Sequence, residues 1–206
     1  MKETLAGLLG HPDLWLGSGK DAGAGRPVLP TGFAALDALL PGGGWPAGAV
    51  TEILLPGEGI GEMQLLLPSL AGPGDGRLIA WIDPPYLPYA PALSAGGLRL
   101  SRVLVAYAGT NRDRLWAAEL TLRSGACKAV LAWPGECDDR SLRRLALAAE
   151  KGGCLAVLFR KDPCAGRPSP AALRLRLAPS GGGVAVEVLK GRGGAGRRTE
   201  VPLADS

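Results

Sequence analysis

Three glycines, Gly57, Gly59 and Gly61, follow the apolar run Val50–Leu55 and stand just ahead of Glu62, Met63 and a second apolar run that begins at Gln64. A glycine-rich turn between a buried strand and a helix start is the layout of a loop that wraps phosphate. Glycine lets the backbone N–H groups close on an anion, and the helix start adds positive partial charge. Nucleotide chemistry at such a loop needs two further residues side by side, a lysine for the outer phosphates and a serine or threonine hydroxyl for the magnesium ion. Glu62 and Met63 occupy those two positions. A lysine about 4 Å from a phosphate gains roughly 4 kcal/mol at an effective dielectric near 20, and a glutamate there loses a similar amount. A swing of that size removes micromolar affinity. The loop therefore has the placement of a phosphate cradle without its chemistry, and neither a catalytic residue nor a bound cofactor is expected of it.

Other reactive residue types are scattered. Cys127, Cys137, Cys154 and Cys164 show neither a Cys-x-x-Cys pair nor a histidine at ligand spacing, so they read as reduced thiols and no metal site is expected. The single histidine, His11, has no serine or carboxylate patterned around it. Gly17–Lys20 spells GSGK, but Leu14 and Asp21 stand where a phosphate loop needs glycine and a hydroxyl, so it reads as linker. Asp138 and Asp139 precede a helical pattern and suit its positive end better than a metal pair, since no third ligand is spaced to join them. Tyr86 and Tyr89 sit in a proline-rich connection, as a binding surface or packed on a sheet edge.

Charge is modest overall, +4 at pH 7, but from Arg160 onward nine Lys/Arg face four Asp/Glu. The glycine-rich tail carries Lys190, Arg192, Arg197 and Arg198. So much glycine opposes regular structure and leaves these charges on a mobile segment, suited to a protein partner, to nucleic acid, or simply to solvent. Glycine and proline, 32 and 18 residues, make up about a quarter of the chain, yet 47% hydrophobic content supports a packed fold.

The elements that would position these residues follow from periodicity. Thr31 is a plausible N-cap for a helix over Phe33–Leu40; strands are expected at Val50–Leu55, Leu78–Ile82, Val103–Ala106, Ala129–Trp133 and Leu155–Phe159. Helices are expected at Asn111–Arg123 and Ser141–Lys151. Leu173–Leu177 and Val184–Leu189 alternate apolar and polar residues and read as a hairpin. Prolines in the connection from Asp83 to Leu98 predict an extended or turn-rich path. The sum is an α/β fold, a mostly parallel sheet flanked by helices and closed by antiparallel strands.

Thr31-Gly32, Leu36-Asp37, Gly43-Gly44, Pro46, Gly48, Glu52-Ile53 and Pro56 resemble the segment that opens the ATPase core of RecA-type recombinases. From Thr31 to Leu203 the chain also resembles the RecA-like accessory proteins called ImuA. The resemblance implies a RecA-type core over residues 31–189, with 1–30 as an N-terminal arm and linker and 190–206 as a basic tail. Residues carried over from that family stand altered here: Glu62 for the lysine, Met63 for the threonine, Pro85 for the acid that positions water, and Trp133 for the magnesium-organising aspartate. Arg160 replaces a phosphate-sensing glutamine. The resemblance implies a cytoplasmic, noncatalytic adaptor in damage-induced (SOS) mutagenic translesion synthesis. Its partners would be an ImuB-type Y-family polymerase homologue and an error-prone DNA polymerase III alpha subunit, with RecA as a further candidate. Contact with a partner or with DNA is assigned to Trp15 in the arm and to Lys190, Arg192, Arg197 and Arg198 in the tail. A SulA-type cell-division inhibitor and an active RecA-type ATPase are the alternatives.

Overall fold

The computed structural model describes residues 27–72, 76–192 and 194–203. Trp15, His11 and the GSGK stretch lie outside them. The elements run β1 (Val28–Leu29), α1 (Ala34–Leu39), β2 (Trp45–Pro46), β3 (Ala49–Leu55), α2 (Glu62–Ala71), β4 (Leu78–Ile82), α3 (Ala90–Ala95), β5 (Val103–Ala106), α4 (Asn111–Arg123), β6 (Cys127–Ala132), α5 (Asp139–Gly152), β7 (Leu155–Lys161), β8 (Leu173–Ser180), β9 (Gly183–Lys190) and β10 (Arg198–Pro202). A 3-10 turn at Asp162–Gly166 links β7 to β8.

One eight-stranded sheet carries the fold, in the order β10-β9-β8-β3-β7-β6-β4-β5. From β8 to β5 every pairing is parallel; β8, β9 and β10 pair antiparallel. Parallel strands linked by helical crossovers are covered on both faces, which is why β3 and β6 are buried along their whole length. The first face packs Ile53, Trp81, Leu131 and Phe159 against Leu36 of α1, Leu65 and Leu66 of α2 and Leu93 of α3. The second packs Val50, Ala80, Val130 and Ala156 against Ala118 and Leu122 of α4 and Leu142 and Leu145 of α5.

Four expectations change. Thr31 does not cap α1, whose N-cap position is Phe33 with no side-chain bond. Instead the Thr31 hydroxyl accepts from the Phe33 N–H at 3.1 Å, and the Thr31 N–H donates to Asp37 Oδ1 at 2.8 Å. The proline-rich connection contains a short helix, α3, with Pro91 in its first turn, where a missing N–H costs nothing. Val28–Leu29 and Trp45–Pro46 form a small two-stranded ribbon that the glycine-rich composition concealed. Finally, Arg198–Pro202 of the basic tail is sheet: β10 pairs with β9 from Arg198↔Glu187 to Pro202↔Gly183. Strand pairing supplies the partners that local propensity lacked.

Candidate functional site: the glycine loop after the central strand

The loop after β3 turns on Gly59 and Gly61, at φ +80° and +104°, the left-handed region open to glycine. Gly61 is irreplaceable for a second reason: a Cβ there would lie 2.3 Å from Leu203 Cδ1 and 2.9 Å from Val184 Cγ2. The end of the hairpin sheet thus presses on the loop. Gly57 and Gly59 have open space where a side chain would stand.

Glu62 opens α2, and its carboxylate turns back into the loop. Oε1 accepts from the Gly59 N–H and Oε2 from the Ile60 N–H, each at 2.9 Å, and the side chain is buried. The donors that a phosphate loop offers to its ligand here hold an acid of the chain itself. Carboxylate and phosphate oxygens are the same kind of acceptor for such N–H groups, and here the acceptor is the Glu62 carboxylate. Met63 packs half-buried against the first-face core with Ile60.

The other altered positions lie along the same edge of the sheet. Trp133, one residue past β6, stacks on Phe159 with centroids 4.6 Å apart and planes at 20°, and lies 6.0 Å from Trp81. Aromatic rings fill the place where the resemblance would put a magnesium-organising aspartate. Pro85 is exposed in the loop after β4. The carboxylate nearest that strand end, Asp83, has φ +54° and is tied down: it accepts from the Ala108 N–H at 3.2 Å and pairs with Arg114. Tyr86 and Tyr89 are exposed, 70% and 71%, so they do not pack on the sheet edge.

Composition gave no weight to an ionic cluster inside the sheet. Glu52, fully buried in β3, takes Arg160 Nη1 at 2.5 Å and Arg174 Nε at 2.7 Å. Arg160, at the phosphate-sensing position of the resemblance, thus points to Glu52, and its Nη2 donates to the Cys137 carbonyl at 3.2 Å. Burial works against the Arg160 charge, but the bond and field of Glu52 outweigh it and raise its pKa. Arg174 also donates to the carbonyls of Cys164, Ala165 and Arg167 at 2.8, 3.3 and 2.9 Å. It fastens the 3-10 turn and the residue after it to the start of β8. The signal was present in the sequence as single charges inside apolar strands, Glu52 in TEILL and Arg174 in LRLRL.

Asp138 is the N-cap of α5, its Oδ1 accepting from the Ser141 N–H at 2.8 Å; that hydrogen bonding holds its pKa below the usual carboxylate value. Among the described residues no group of three His, Cys, Asp or Glu is gathered as for a metal, and no helix is long and apolar enough to cross a membrane. The tail residues are not gathered with the loop's carboxylate. Lys190 donates to the Ser169 carbonyl at 2.6 Å and Arg198 to Glu187 at 2.9 Å; Arg192 is exposed, and Arg197 has two shielded nitrogens without an acceptor.

A mostly parallel sheet of this order, with a glycine loop after a central strand and an antiparallel extension, defines a RecA-type core. No protein-family model matches the chain. It is 34% identical over 117 residues to RecA of Clavibacter michiganensis subsp. michiganensis, 55% of this chain and 31% of that protein. Over a longer span, 147 residues, it is 29% identical to ImuA of Caulobacter vibrioides (strain NA1000 / CB15N), 68% of this chain and 60% of that protein. The chain is thus similar to both RecA and ImuA, and it spans about 60% of the length of the ImuA relatives it matches. SulA from Pseudomonas aeruginosa superposes with a TM-score of 0.47 at 26% identity, over 56% of this chain and 99% of that one.

Proposed function

We propose that the chain is a noncatalytic, RecA-like adaptor of damage-induced mutagenic translesion synthesis. In this reading it joins an ImuB-type polymerase homologue to an error-prone DNA polymerase III alpha subunit in the cytoplasm and turns over no nucleotide. The likeness to ImuA supports the system, and one observation supports the lack of catalysis: the Glu62 carboxylate occupies the loop N–H groups that would otherwise receive phosphate. A triphosphate would have to displace two charge-assisted bonds and then lie beside a carboxylate, without the lysine that would attract it. Trp133 and Phe159 fill the neighbouring strand ends with rings that offer no ligand to magnesium.

Isothermal titration with Mg-ATP tests the chemistry. No saturable heat is expected, and micromolar binding would overturn the reading. Co-purification after DNA damage tests the assignment to the system: the polymerase homologue should be recovered with the chain, whereas recovery of the division machinery in its place would favour the SulA-type alternative. The tail residues Lys190, Arg192, Arg197 and Arg198, with Trp15 of the arm, remain the proposed partner contacts.

A further inference from the structure

On the second face of the sheet, far in sequence from the loop, α4 and α5 pack side by side and leave an open cleft of about 520 Å³ between them. Leu115 and Leu145 lie low in it, half-buried and buried. Trp116 stands on its wall with 61% of its surface exposed. A tryptophan this open, beside aliphatic side chains in a concavity, is the composition of an interface anchor. The same helices expose Leu120 and Leu147 at 55% and 67%.

The charges around the cleft are unevenly committed. Glu119 is held by Arg123 at 2.6 Å and by Arg144, and Asp138 is spent on the α5 cap. Arg112 and Arg167 line the cleft with no side-chain acceptor among the described residues. Glu136 is the lining carboxylate without a partner of its own there. Arg140, whose charge acts on Asp138, and Arg143 add two more guanidinium groups on α5. A ligand must therefore be apolar at its centre and acidic at its margin. Single-stranded nucleic acid fits less well: stacking along a strand uses a series of aromatic rings, and phosphates would meet Glu119, Glu136 and Asp138.

We propose that this cleft docks an acidic amphipathic segment of a partner protein, with an apolar side chain on Trp116 and Leu115 and carboxylates on Arg112 and Arg167. The surface is separate from the filled loop, and the inference stands whether or not the adaptor reading does. A fluorescein-labelled amphipathic peptide of Glu, Leu and Phe at helical spacing, titrated against the full chain and followed by anisotropy, reads it directly. Saturable binding is expected for this peptide and none for its Glu→Lys counterpart. Trp116→Ala and Arg112→Glu should each weaken it by about tenfold or more, with melting temperatures unchanged because both side chains are exposed. Equal affinity of the wild type and Trp116→Ala would overturn the proposal. So would binding of oligo-dT that Trp116→Ala abolishes, which would make the cleft a nucleic-acid site. A dimer detected by light scattering and lost in Trp116→Ala would also overturn it, since a second copy would then be the occupant.

Discussion

Replacing Glu62 by alanine removes the two acceptors that the Gly59 and Ile60 N–H groups use. Hydrogen bonds to a charged group contribute about 1.5–3 kcal/mol each, so the pair sets an upper range of roughly 3–6 kcal/mol. Gly59 is exposed, so water re-solvates its N–H, whereas Ile60 is half-buried and recovers less. The expected net loss is about 2–3 kcal/mol, which for a chain of this size lowers the melting temperature by roughly 5–10 °C. Glu62→Gln, which keeps one acceptor but turns an NH₂ toward the other donor, should fall between. Thermal unfolding by circular dichroism measures both. A second arm separates a filled anion site from ordinary capping: inorganic phosphate should raise the melting temperature of Glu62→Ala and leave the wild type unmoved, because only the variant has vacant donors. If Glu62→Ala melts within about 1 °C of the wild type, or phosphate stabilises both equally, the carboxylate is not what fills the loop.

Glu52→Gln should destabilise the fold by about 3–5 kcal/mol in urea titration, because it leaves two buried guanidinium groups facing a neutral amide; a loss under about 1 kcal/mol would show the cluster to be hydrated in solution. The buried thiols predict an alkaline limit. Burial pushes Cys137 up to about 11 and Cys154 up to about 12, from an ordinary value of 9.0. Below pH 9 both folded and unfolded thiols are protonated and the stability is whole; above it the unfolded thiols ionise first, and stability falls by up to about 1.4 kcal/mol per pH unit for each. Cys154→Ala should flatten that decline in stability-against-pH curves, and an unchanged slope would assign it to other groups.

The core strands were readable because a strand buried on both faces must be apolar throughout, as β6 is from Cys127 to Ala132. The terminal hairpin was readable from its alternation, since Leu173, Leu175 and Leu177 pack in the first-face core while Arg174 and Arg176 stand on the opposite face, Arg174 buried on Glu52 and Arg176 half-exposed on Asp162. What stayed hidden depended on distant partners. β10 is a strand only because β9 offers it an edge, and Thr31 leaves its expected capping role because its hydroxyl accepts from the Phe33 N–H while its backbone N–H donates to Asp37. At the site, residue types told that Glu62 and Met63, not a lysine and a hydroxyl, follow Gly61. They did not tell that the Glu62 carboxylate turns back onto the loop N–H groups, because that follows from the backbone turn at Gly59 and Gly61, and spacing alone does not fix such a turn.

Glu52 bears on how the chain is built as well as on how it stands. Its two partners come 108 and 122 residues later, and both sheet neighbours of its strand, β7 and β8, are made after most of the chain has emerged. At about 5–20 residues per second, β3 waits on the order of ten seconds for them during synthesis. Through that wait it is an apolar run interrupted by one solvated charge, which discourages pairing with the wrong strand or with another nascent chain. The carboxylate can be buried once Arg160 and Arg174 arrive together. The central strand therefore has neither of its sheet neighbours until residues 155–161 and 173–180 have been made.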